Sequence, residues 1–198
     1  MQILFGAYLL VALFWIGISL MVGLVLLKVM RKQSFSVYPR ITVVATFLYS
    51  VALYLRFGLS VIGVQGMILF FLLLYASCSD LTSHTMDDYV WVMVCILALL
   101  SVERVGVWSM LIGASMVFVP QILIALLPPH KSLGGADIKL STALACLLGW
   151  GKGLAALIFG LILAVIVMAV VQKLNHKKKQ PFALIPFLSI GAIVMFMI

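Results

Sequence analysis

Ile68-Leu69-Phe70-Phe71-Leu72-Leu73-Leu74-Tyr75-Ala76-Ser77-Cys78-Ser79-Asp80 runs from a solid apolar stretch into small hydroxyl residues and stops on a carboxylate. The apolar part belongs to a longer segment, residues 57–79, about the length needed to cross a bilayer as a helix. Asp80 stands at its border, where a polar loop begins. The chain holds only five acidic residues in 198, so a carboxylate at a span border is a functional hypothesis by default.

Working outward, the rest of the chain has the same character. Hydrophobic residues make up 66% of it and charged residues 9%. A soluble domain would carry roughly 25% charged residues. In lipid every backbone N–H and C=O must find its partner inside the segment, and helices do this. The expected fold class is therefore all-α, a polytopic transmembrane helical bundle. Breaking the chain at charges and turn residues gives eight apolar segments: 4–27, 41–55, 57–79, 89–102, 105–127, 138–150, 154–172 and 182–198. The second, fourth and sixth fall short of the roughly 20 residues that span comfortably, so the number of full spans is expected to lie between six and eight. The first segment lacks a basic flank before it and a small-residue cleavage pattern after it, and is read as a retained helix.

Charge distribution orients the bundle. With the N-terminus outside, the cytoplasmic loops hold Lys28, Arg31, Lys32, Arg40, Lys131, Lys139, Lys173, Lys177, Lys178 and Lys179, and the outer loops hold Arg56, Arg104 and Lys152. The positive-inside rule favours this arrangement. The net charge of +8 is thereby assigned to loops facing anionic headgroups, and nucleic acid is not an expected partner. Cys78, Cys95 and Cys146 form no CxxC pair and no zinc spacing; they are read as small packing residues, with no metal site.

The second informative stretch is Gly134-Gly135-Ala136-Asp137-Ile138-Lys139-Leu140, which opens an apolar run after a polar one. The orientation above places the loops beside Asp80 and Asp137 on the same, cytoplasmic, side. Two carboxyls sharing a proton can activate water and protonate a leaving amine, provided that one titrates well above the other. The glycines permit a tight turn or a close backbone approach. Asp137 near a helix N-terminus would feel the positive end of the dipole. Lys139, two residues on, points about 200° away on a helix and is read as a headgroup or structural contact. Asp87 and Asp88 are expected to cap the next helix, and His84 to be an exposed loop residue.

Together these residues resemble the type IV prepilin peptidase family and its preflagellin relatives, membrane aspartic proteases of the GxGD type. Asp80 before a short polar loop is the first match and Gly134–Leu140 the second. Pro181-Phe182-Ala183-Leu184-Ile185-Pro186-Phe187-Leu188-Ser189-Ile190-Gly191 is similar to the proline–phenylalanine stretch that opens a late span in the family. The resemblance covers roughly residues 72–191. It implies that Asp80 and Asp137 are the catalytic pair, supported by Gly134, Gly135, Ala136 and Lys139, with no cofactor. The implied substrate is a prepilin-like protein with a basic leader, a glycine and a long apolar helix, cleaved at the cytoplasmic membrane face.

Two departures stand out. Ala136 occupies a position where the family commonly has glycine; if a positive φ were required there, alanine would cost about 1 kcal/mol. Bifunctional members also carry a cysteine-rich domain between their first two spans. Here that interval, Lys28 to Arg40, contains no cysteine, so cleavage without N-methyltransferase activity is expected. The chain is read as one transmembrane peptidase domain over 1–198, with an extra span and short basic loop in 1–40 and a catalytic core in 57–198.

Two other readings compete. Presenilin-like and signal-peptide-peptidase-like proteases match only at the second motif and carry Tyr-Asp at the first, where this chain has Ser79-Asp80. A proton-coupled transporter would need ionisable groups deep within several spans, and the apolar segments hold none.

Overall fold

The computed structural model describes residues 2–33, 38–127, 134–175 and 182–198, with the backbone alone for 2–9 and 174–175. All regular structure in these residues is helical. Each of the eight apolar segments becomes one helix: α1 (Gln2–Lys32), α2 (Pro39–Phe57), α3 (Val61–Ser83), α4 (Asp88–Leu99), α6 (Val107–Leu126), α7 (Gly135–Leu148), α8 (Trp150–Asn175) and α9 (Ile185–Met197). A single turn, α5 (Val102–Val105), is additional. Among the described residues, five helices are long and apolar enough to cross a membrane: α1 over Leu10–Lys32, α2, α3, α6 and α8. α4, α7 and α9, with 12, 14 and 13 residues, are shorter. At 1.5 Å per residue they extend about 18–21 Å, less than a hydrocarbon core of about 30 Å. Lys131, the Lys177–Lys179 run and Pro181, each given a reading above, lie outside the described residues.

The main shift in boundaries is at α3, which continues past Asp80 to Ser83. Its polar end is held in helix by hydroxyls returned to carbonyls one turn back, Thr82 Oγ1 to Cys78 O at 2.8 Å and Ser83 Oγ to Ser79 O at 2.9 Å. His84 then ends the helix at φ 52°, its N–H bonded to Asp80 O at 3.0 Å.

The chain divides into two compact units, Met1–Phe71 and Leu72–Ile198. In the first, α1 packs on α2; Trp15 Nε1 donates to Ser50 O at 3.3 Å, and Tyr49 stacks on Phe70 with centroids 4.6 Å apart. In the second, α7 is the centre, touching α4, α6, α8 and α9. Its buried residues Leu140, Ser141, Ala143, Leu144, Ala145 and Leu147 cover every face, which is why this helix is rich in small side chains. Lipid is as apolar as leucine, so close packing of small residues is what binds such helices. At the α8–α9 contact a Cβ on Gly191 would overlap the Ala156 carbonyl oxygen. Outward faces keep large apolar side chains exposed, among them Phe14, Met21, Leu123 and Val165, as a multi-pass membrane protein requires.

Candidate active site

Asp80 sits in the last turn of α3 and is buried, 7% exposed. Its Oδ2 accepts the N–H of Ile185, the first residue of α9, at 3.0 Å, and the Leu184 N–H also donates to the carboxylate. The reason lies in α9 itself. Its N-cap, Leu184, has no side-chain acceptor, and Pro186 brings no N–H. The orphan donors of that helix end are met by a carboxylate 105 residues away in the chain. A second link holds the same helices together, Ser77 Oγ to Ser189 Oγ at 3.1 Å.

Asp137 is the third residue of α7, half-buried and just ahead of the apolar stretch 138–150. It closes a reciprocal cap. The Gly134 N–H donates to its carboxylate, and its own N–H donates to Gly134 O at 3.0 Å. This shows why glycine stands at 134. Its φ is −69°, open to any residue, but an added Cβ would lie 2.9 Å from Asp137 Oδ2. The glycine supplies space for the carboxylate, and the expected special turn geometry is not its purpose. Nor is a positive φ needed at Ala136, which lies inside α7, where alanine fits well. Gly135 has open space around its Cα.

The carboxyl of Asp137 is pushed up to about 6, first by burial and then by the negative charge of Asp80, against the pull of the Gly134 N–H. The dipole expected to keep Asp137 charged is thus outweighed. The structure brings the two sequence-predicted aspartates within electrostatic reach of each other, at the meeting of three helix ends. His84 is exposed and also within range of Asp80.

Asp87 and Asp88, expected to cap the next helix, engage other partners through their carboxylates. Asp87 takes the N-cap position of α4, yet its carboxylate does not cap; it accepts the Tyr75 hydroxyl at 2.7 Å. Asp88 pairs with Lys139 Nζ at 2.6 Å and accepts Trp91 Nε1 at 3.2 Å. Lys139 also lies 5.7 Å from the centroid of the Trp91 ring. Lys139 therefore faces α4, a structural contact tying α4 to α7, and holds the Asp88 carboxyl below its ordinary range. No signal in one sequence pairs residues 51 positions apart. Behind the site, Ser141 Oγ bonds Gln121 Oε1 at 2.8 Å, joining α7 to α6. Among the described residues, no three His, Cys, Asp or Glu side chains are grouped as metal ligands.

Residues 67–171 match the type IV leader peptidase family. The matched region contains both aspartates and the whole Gly134–Leu140 stretch, and ends before Phe182–Gly191. No match was found among curated proteins or among solved structures.

Proposed function

The chain belongs to the type IV leader peptidase family, prepilin peptidases that are aspartic endopeptidases, and from that premise we propose that Asp80 and Asp137 are its catalytic dyad. The observation that carries this reading is their convergence: two carboxyls from separate helices, one holding its proton up to about pH 6, first through burial and then under the charge of the other. In the proposed reaction the dyad carries one proton. The ionised member takes a proton from water as the oxygen attacks the scissile carbonyl. The protonated member first supports the oxyanion and then passes its proton to the leaving amine. Gly134 keeps the space in which the Asp137 carboxyl turns, and Lys139 positions α7 against α4.

The substrate class is a prepilin-like subunit with a short basic leader ahead of an apolar helix. The leader stays in the cytoplasm by the positive-inside rule, which puts the scissile bond at the cytoplasmic interface. A glycine at the cleavage point lowers the cost of unwinding the substrate helix there. On this reading the N-terminus is outside and the three short helices cross beside the long ones, giving eight spans in the bacterial cytoplasmic membrane. Residues 57–198 form the catalytic core and residues 1–40 add one span and a basic loop. Cleavage occurs without methyl transfer, because the Lys28–Arg40 interval lacks the cysteines of a zinc-bound domain.

Co-expression with a prepilin-like substrate, followed by intact-mass measurement, tests the whole reading. The expected product lacks its leader and has a free, unmethylated N-terminus. Uncleaved substrate in the presence of folded enzyme would remove the peptidase assignment, and a methylated product from the purified protein alone would remove the second part.

A further inference from the structure

At the end of the second unit remote from Asp137 lies a cavity of about 280 Å³. It is bounded by α5, the starts of α6 and α8, and the C-terminal ends of α7 and α9. Leu148 on its wall and Asp137 stand 11 residues apart along α7, about 17 Å. Two cations line it, Arg104 and Lys152, and no acidic residue does. The Arg104 guanidinium lies over the Phe196 ring, 5.2 Å from its centroid, which holds the charge at the cavity wall. The remaining wall is mainly apolar or aromatic, with Leu148, Trp150 and Met195, and carries the Ser109 hydroxyl, which accepts the Trp150 backbone N–H at 3.3 Å. Outside the cavity Trp108 is 77% exposed, and Trp150 on its rim is 54% exposed, the pattern of an interfacial aromatic belt.

We propose that this cavity binds a phosphate group, with Arg104 and Lys152 as its ligands and the apolar wall receiving the carbon skeleton attached to it. A planar guanidinium and an ammonium from separate helices suit a tetrahedral oxyanion with oxygens on several sides. The first turn of α8, beginning at Trp150, adds the positive end of a helix dipole to the two cations that carry the argument. Of the three basic residues assigned to outer loops, two converge here, where the positive-inside rule leaves cations scarce. A phospholipid headgroup and a free phosphate ester share this chemistry. The inference does not depend on the peptidase reading.

Native mass spectrometry of the full chain, released from detergent with phosphatidylglycerol, tests the proposal. Phosphatidylglycerol should stay bound to the unchanged protein. Its apparent affinity should fall at least about ten-fold in Arg104→Gln/Lys152→Gln and stay unchanged in Arg56→Gln, which alters a cation outside the cavity. The charge-preserving pair Arg104→Lys/Lys152→Arg should retain the lipid, which separates lost charge from lost fold. Displacement of the lipid by millimolar glycerol 3-phosphate would identify free phosphate esters as a source; lipid retention unaffected by it would identify the headgroup. Equal phosphatidylglycerol retention by the unchanged protein and the Gln pair overturns the site, as does lipid loss in Arg56→Gln of the same size.

Discussion

At the scale of single residues, the proposed site rests on two carboxyls with different neighbours. Asp80 faces the N–H groups that open α9, and Asp137 faces Gly134 and the charge of Asp80. Replacing either with Asn should lower cleavage by at least about a thousand-fold while the protein remains folded, and the double variant should be no worse than either single one, because members of a dyad act as a unit. Substantial cleavage by Asp137→Asn would refute the aspartic mechanism. The raised Asp137 also bears on stability. A carboxyl whose folded-state value lies near 6, above its ordinary value near 4, favours folding while protonated, and that contribution is lost as pH rises through about 6. Full burial would make the loss about 3 kcal/mol; partial screening leaves on the order of 1–2 kcal/mol. Asp137→Asn should therefore melt a few degrees higher than the unchanged protein at pH 8 and alike at pH 4 in detergent. Equal melting at both values would contradict the burial of this group. The alkaline limb of kcat/KM should fall near pH 6, reporting the free dyad.

Among the elements, Gly134 and Gly191 are two of the positions where helices and side chains come too close for a Cβ. Gly134→Ala should cut activity at least about ten-fold with little loss of fold, since the new methyl would crowd Asp137 Oδ2 at 2.9 Å and displace the carboxyl. Ala136→Gly should leave activity nearly unchanged and cost up to about 1 kcal/mol of stability, the difference in helix propensity. Gly191→Leu should separate α8 from α9 and destabilise the fold by about 1–3 kcal/mol or more, read as a lower detergent melting temperature. Because α9 also presents Ile185 to Asp80, that variant should lose activity before it unfolds. An unchanged melting temperature would show that the two helices have room between them.

For the whole molecule the open question is orientation, and labelling decides it. In a background without Cys78, Cys95 and Cys146, the exposed positions Ser83 and Glu103 lie at opposite ends of α4. Ser83→Cys should be closed to an impermeant reagent added outside cells, and Glu103→Cys open to it. The reverse pattern would invert the bundle and put the dyad on the outer face. Among the described residues five helices are long and apolar enough to cross a membrane; of the two proposed catalytic residues, Asp80 lies in the last turn of one of these, α3, and Asp137 opens the short helix α7. α7 is short and enclosed by four neighbours, α4, α6, α8 and α9.

Helical, membrane-spanning character was legible in the chain alone, because lipid leaves a backbone no partner but itself. The family was legible too, through the resemblance of Asp80 and Gly134–Leu140 to its motifs. What only the tertiary structure decided is who meets whom. Asp80 as the partner of α9, Lys139 as the partner of Asp88, Asp87 as the acceptor of Tyr75, and Gly134 as the space beside a carboxylate all depend on residues distant in sequence or on sub-ångström room. Such pairings are set by how helices pack, and packing of small side chains leaves no periodic trace in one sequence.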